Sequence, residues 1–493
     1  MASQLLATRS IAELHEQESS GNQLRRALNA THLTLLGIGG IIGTGIFVLT
    51  GTAAANYAGP ALPLSFIIAG LGCTFAGLCY AEFAAMIPVS GSAYSYSYAT
   101  LGEGIAWFIG WNLVLEYLFA VATVSVGWSG YATSLLEQLH VHVPAALSSA
   151  PFDQAGETMH IVRTGAIINV PAVLIVAAIA SICYIGIKQS AAFNSVIVAI
   201  KVTVIVLFII FGIGYISSAN WHPLIPPNDG HFGSFGYSGI LKAAAVIFFA
   251  YIGFDAVSTA AQETRNPQRD MPIGILLSLV ICTLLYVIVA SVLTGMVNYK
   301  QLDVAAPVAL ALDKYQGLHW LGIPVKLGAV CGMTSVMLVM TIAQARIFFA
   351  MARDGLLPPF FGRVHPRFQT PSTGTVITGV SAAIIGGLFP VKVLGELVSI
   401  GTLAAFVTVC IGVLVLRRTR PDLPRPFRTP WPWFTCIAGA IVCSLMMVSL
   451  GAATWARLVL WTAVGVVIYA VYGYKHSCVR KAANRSPAAP RVA

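Results

Sequence analysis

Three ionisable side chains stand in stretches that offer them no water: Lys201 in FNSVIVAIKVTVIVLF, Glu116 in WNLVLEYLF and Asp255 in FFAYIGFDAVS. An uncompensated charge at membrane depth costs several kcal/mol, so such groups read as functional by default. Lys201 has apolar neighbours for a turn on each side, and snorkelling to an interface would need more reach than its side chain has. Burial disfavours the charged form of an amine, so Lys201 could load and release a proton near neutral pH. Its ammonium could occupy the place of a sodium ion, against unwound carbonyls at Gly40 and Ile41 and the hydroxyls of Thr334 and Ser335. The plainer alternative is a permanent structural ion pair. Asp255 suits a place beside a ligand or a cap on the half-helix after it. Glu116 could relay a proton, bond to backbone or only hold structure.

Glycine supplies the second kind of chemistry. GIGGIIGTGIF places Gly39, Gly40, Gly43 and Gly45 within seven residues, with Thr44 between the last two. Packing glycines account for one small-x-x-x-small pair; four so close point to an unwound backbone that a ligand can approach. N–H groups near Gly45 and Ile46, at the start of the resumed helix, would present a positive dipole end to a carboxylate. Gly253-Phe254-Asp255 interrupts a second apolar stretch in the same manner. There the carbonyls around Phe249, Ala250 and Ile252 could accept from an α-ammonium, with Met333 near by. An unpaired backbone group in lipid costs several kcal/mol, so a broken helix survives only when buried or lining a cavity. Paired interruptions in corresponding halves are the best sequence pointer to a transporter's substrate site.

The elements that must carry these residues are membrane spans. The chain has 493 residues, 57% hydrophobic and 9% charged, against roughly 25% charged in soluble domains. Stretches of about 20 apolar residues, enough to span, are expected near 33–57, 62–86, 104–136, 167–187, 190–217, 238–262, 272–297, 322–352, 372–390, 394–416, 432–452 and 455–474. The organisation expected is a cytoplasmic N-terminal tail at 1–30, a five-helix set at 31–217, a second at 238–416, two further helices at 431–474 and a basic, disordered tail at 475–493. An odd number of spans per set inverts the second relative to the first. The fold expected is therefore an all-α integral membrane protein of twelve transmembrane helices, a LeuT-type five-plus-five inverted repeat with helices one and six broken. Asn22 to Thr31 reads as a short interfacial helix. VSGSAYSYSYATL, residues 89–101, reads as an interfacial stretch with Tyr94, Tyr96 and Tyr98 at headgroup level.

The net charge of +10 invites a nucleic-acid reading, which the placement of the charges refuses: no nucleic-acid partner is expected. Most Lys and Arg fall in the two tails and the even-to-odd loops, among them the proline-rich RRTRPDLPRPFRTP of Arg417 to Pro430. That is the positive-inside asymmetry, which puts both termini in the cytoplasm and the protein in the cell membrane. The first thirty residues lack the apolar core of a cleavable signal peptide. Nine cysteines lie in spans and the C-tail, so no disulfide framework is expected. No H-E-x-x-H, nucleophile elbow or Walker A loop sits at membrane depth, so neither an enzyme nor an ATP-driven pump is expected. Glu82 reads as a gating or structural contact. The charged junctions ETRNPQRDMP (263–272) and RIFFAMARDGLLP (346–358) read as weak solvated ion pairs or as an inner gate.

GIGGIIGTGIFVLTG, NSVIVAIK, FFAYIGFDAVSTAAQETRNPQRDMPIGI and RIFFAMARDGLLP together resemble the amino acid–polyamine–organocation superfamily, specifically the cationic amino acid transporter family in its shorter, bacterial form. The resemblance spans about residues 25–475. It implies alternating access, amino-acid binding between helices one and six, and a span-five lysine in the sodium position that makes transport proton-coupled. Lys201 matches that lysine, Thr44 and Gly45 the carboxylate site, and Asp255 the span-six acid. The function expected is amino-acid import by proton symport, with small or medium neutral amino acids favoured because few acids could pair with a cationic side chain. An exchanger of amino acids or polyamines is the rival, and a transporter-like sensor a remote one. The expected partners are an amino acid, a proton and lipid; no cofactor or metal is expected, and a small partner helix on span five is left open.

Overall fold

The computed structural model describes residues 28–87, 92–154, 160–186 and 191–485; the expected interfacial helix at Asn22 to Thr31 lies almost wholly outside them. The chain is mostly helical. Among the described residues nine helical stretches are long and apolar enough to cross a membrane, and three shorter apolar helices accompany them. One of the nine, Gly45–Met86, runs through a turn at Gly59–Ala61 and so joins the end of the first expected span to the second.

The helices that matter for the site are α1 (Ala30–Ile41), α2 (Leu62–Met86), α3 (Ser92–Thr100), α4 (Glu103–Gln138), α5 (Val170–Ile185), α6 (Ala191–Gly212), α7 (Gly236–Ile247), α8 (Phe254–Ser258), α9 (Pro267–Met296), α10 (His319–Arg353), α11 (Ser372–Leu388), α12 (Val391–Thr419), α13 (Pro432–Ser449) and α14 (Ala452–Ile468). Helix starts follow the expected chemistry. Asn29 caps α1 by accepting from the His32 N–H at 2.9 Å, and proline stands in the first turn of α2, α5, α9 and α13, where its missing N–H costs nothing. At 36 residues α4 is about 54 Å long, well beyond the hydrocarbon core.

The packing has a regular pattern. α2 lies on α9, α4 on α10 and α5 on α11, while α1 packs on α9 as α7 packs on α2, and α6 on α10 as α12 packs on α4. α13 and α14 pack outside this set, against α12. The core sits between α1, α7–α8, α4 and α10, and the residues of both helix breaks are buried within it.

Two expectations need correction. Tyr94, Tyr96 and Tyr98 do not lie at a headgroup surface: α3 packs against α4 with all three rings fully buried. Tyr96 stacks on Phe83 at 5.6 Å, Tyr94 donates to Asp354 Oδ2 at 2.7 Å, and Tyr98 to Glu103 Oε2 at 2.8 Å. The tail after 475 is ordered as far as Arg485. Cys478–Arg485 is helical, the Cys478 N–H donates to Asp354 O at 3.0 Å, and Ser477 hydroxyl donates to Glu103. Glu82 is a structural clamp. It accepts from Arg417 at 2.6 and 3.0 Å and from the Thr429 N–H at 2.8 Å, tying α2 to α12 and to the loop beyond it.

Candidate functional site

The first break begins where α1 stops at Ile41. Ile42 is extended (φ −74°, ψ 102°), and the helix resumes through a wide turn at Gly45–Leu49. The first backbone bond of the resumed helix runs from Phe47 N–H to Gly43 O at 3.3 Å. The N–H groups of Thr44, Gly45 and Ile46 therefore precede it, as unpaired donors at a helix start do. The second break passes from α7 through a tight turn at Phe248–Tyr251. Ile252 is extended and Gly253 has φ +121°, a conformation that side chains rarely adopt and glycine adopts freely.

The two breaks touch. A methyl group on Gly45 would overlap Ala250, and one on Gly253 would lie 2.6 Å from the Gly40 carbonyl carbon. Glycine at these points is what lets the strands of unwound backbone meet. Tyr286, on α9, shares its hydroxyl between Ile41 O and Ala250 O, each at 2.9 Å. It bridges the breaks and is not among the residues singled out from the sequence. Its signal in TLLYVIVAS is a phenol flanked by aliphatic side chains at mid-span.

Lys201 lies fully buried on α6 and donates to Gly39 O at 2.5 Å, Ile42 O at 3.0 Å and Ser335 Oγ at 3.3 Å. An ammonium has three N–H donors, and each has an acceptor. The contacts expected for Lys201 are the carbonyls of Gly40 and Ile41 and the hydroxyls of Thr334 and Ser335; the acceptors in the structure are Gly39 on α1, Ile42 just after it and Ser335 on α10. Gly39 and Ile42 accept rather than Gly40 and Ile41, because Gly40 faces Gly253 and Ile41 is held by Tyr286. Thr334 is not a partner. It accepts from Trp128 Nε1 at 3.0 Å, one residue round the helix from Ser335 and on another face.

Asp255 is fully buried at the start of α8. It accepts from the Gly253 N–H at 3.2 Å and from the Tyr117 hydroxyl, so it is both a local cap and a cross-link to α4. Glu116, the residue before Tyr117, is buried beside Thr402 and Asp255, with neither oxygen in good hydrogen-bond geometry among the described residues. Thr44 is likewise fully buried with its hydroxyl unpartnered. Of the carbonyls expected to receive an ammonium, Phe249 O accepts from Ile252 N–H at 3.1 Å and Ala250 O from Tyr286. Phe254 points into an aromatic cluster, with its ring 5.1 Å from Phe406 and 5.7 Å from Tyr80. Met333 is buried on the α10 face that also carries Val336, which lies against Gly43.

At one end of the site Arg346 pairs with Glu263 at 3.3 Å and donates to Thr259 Oγ1 at 3.3 Å. Leu28 forms a parallel bridge to Thr264. At the other end Glu396 accepts from Tyr57 hydroxyl at 3.4 Å and from Thr454 at 2.8 Å, with Lys242 and Lys392 over the Tyr57 ring.

The sequence profile of a family described as amino acid permease matches residues 28–472. The chain is 48% identical to a methylthioribose transporter of Bacillus subtilis over 94% of its own length and 97% of that protein. It is 46% identical to a branched-chain amino acid permease of the same organism, over 97% of this chain and 99% of the relative. To the vacuolar cationic amino acid transporter 4 of Arabidopsis thaliana it is 39% identical, over 85% of this chain and 68% of the plant protein.

Proposed function

We infer, since the chain belongs to the amino acid permease family of the amino acid–polyamine–organocation superfamily, that it carries amino acids across the cell membrane by proton symport with alternating access. The observation that carries the reading is Lys201, a titratable amine latched to both sides of the first helix break. Protonated, it holds Gly39 and Ile42 together in place of a metal cation. Neutral, it keeps two N–H donors but loses the charge that strengthens their bonds, so the grip weakens and the break is freer to move. The unpaired N–H groups of Thr44 to Ile46 and the unpartnered Thr44 hydroxyl would take the substrate carboxylate, and the second break its ammonium.

The packing pairs support a five-plus-five repeat within a twelve-span chain, because each contact in the set has a counterpart when helices one to five are exchanged for six to ten. Alternating access then opens the inner side by parting Arg346 from Glu263 and the outer side by parting Tyr57 from Glu396. The substrate favoured is a small or medium neutral amino acid. Asp255 is already engaged by Tyr117 and Gly253, which leaves Glu116 as the one candidate acid among the described residues for a cationic side chain. One observation favours exchange instead: the three acceptors around Lys201 satisfy a permanently charged ammonium.

Uptake of labelled alanine and arginine into proteoliposomes, with and without an inward proton gradient, separates these readings. Symport predicts gradient-driven accumulation of alanine that Lys201→Ala abolishes while alanine binding is retained. Transport that needs preloaded amino acid and ignores the gradient rejects symport and assigns Lys201 a structural role.

A further inference from the structure

A groove on the outer face of the helix pair α12–α13 has no part in the transport site. Val407, Ile411 and Leu414 line it from α12, and Ile437, Ile441 and Leu445 from α13. From Cys436 to Val448 it runs about 18 Å along α13, roughly three-fifths of the hydrocarbon thickness of a bilayer. The steps 407, 411, 414 continue to Arg418, and Trp433 stands one turn before Ile437. The Arg418 guanidinium lies 4.7 Å over the Trp433 ring and closes the groove at that end.

We propose that this groove binds an anionic phospholipid, with one acyl chain along the α12–α13 cleft and the headgroup phosphate on Arg418. Stacking on Trp433 uses the face of the guanidinium and leaves its N–H edge for phosphate oxygens. Arg417 and Arg425, in the same basic segment, are spent on Glu82; among the described residues Arg418 has no carboxylate partner. The exposed Arg420 and Arg428 add positive charge at that end, and the opposite end at Val448 is apolar. This polarity matches an anionic lipid of the cytoplasmic leaflet and would be wasted on an apolar protein face. The proposal rests on the chain spanning a membrane with its 417–430 segment on the cytoplasmic side and is independent of substrate and coupling.

The test is native mass spectrometry of the full chain released from detergent containing equal dioleoylphosphatidylglycerol and dioleoylphosphatidylcholine. The native protein should retain the anionic lipid at least about fivefold over the zwitterionic one. Arg418→Gln should remove about fivefold of that preference. Ser444→Trp, which fills the groove, should reduce retention of both lipids, and Lys300→Gln, remote from the groove, should leave the native pattern. Equal retention of the two lipids by native protein overturns the proposal, as does a native pattern in both Arg418→Gln and Ser444→Trp. A dimer that Ser444→Trp dissociates and lipid does not displace assigns the groove to a second copy of the chain and overturns it too.

Discussion

At the scale of single residues, the site is built from hydroxyls and one amine placed on unwound carbonyls. Tyr286 is the clearest case, because one hydroxyl serves two carbonyls from two different breaks. Tyr286→Phe leaves both buried acceptors short of a donor, which costs about 1–3 kcal/mol. The expected outcome is a lower thermal unfolding midpoint together with reduced substrate uptake. Native values for both would show that the hydroxyl is dispensable. Lys201 differs in kind from Tyr286, since its protonation state changes the number of donors it offers.

At the scale of elements, the proposed transport cycle puts its cytoplasmic gate where the end of α8 meets α10, at the Arg346–Glu263 pair. Arg346 and Glu263 are each about a third exposed (35% and 32%), so their pair is worth no more than about 1 kcal/mol. A contact this weak suits a gate that must open in every cycle. Glu263→Gln should raise the inward-open population by up to about fivefold. The readout is the thiol-labelling rate of Ala260→Cys, buried in the closed form, with the exposed Cys331 and Cys478 replaced by serine. An unchanged rate would remove the pair from the gate.

At the scale of the whole molecule, charge decides orientation. The basic segment from Arg417 to Pro430 and the ordered tail to Arg485 should share the cytoplasmic side with the N-terminus, and the loop over 137–166, with its hairpin of Phe152–Gln154 against Ile161–Arg163, should lie opposite. Reporter fusions active only in the cytoplasm should be active at both termini and silent at residue 160. Activity at residue 160 would invert the assignment.

Composition and spacing by themselves determined the membrane class, the positions of the apolar helices and the two points where helices break. Those follow from local physics: hydrocarbon demands about 20 apolar residues, and Gly43-Thr44-Gly45 and Gly253 weaken a helix wherever they stand. The family was legible too, in the long string around Asp255. Which carbonyls meet Lys201 was not, because a shift of one residue turns a side chain by about 100° and only the docking of α6 and α10 on α1 fixes the phase. For the same reason Thr334 and Ser335 could not be told apart, and the tyrosines of α3 looked interfacial until α4 covered them. Tyr286 and Tyr117 become part of the site only through contacts between residues far apart in sequence, and that pairing belongs to the tertiary structure alone.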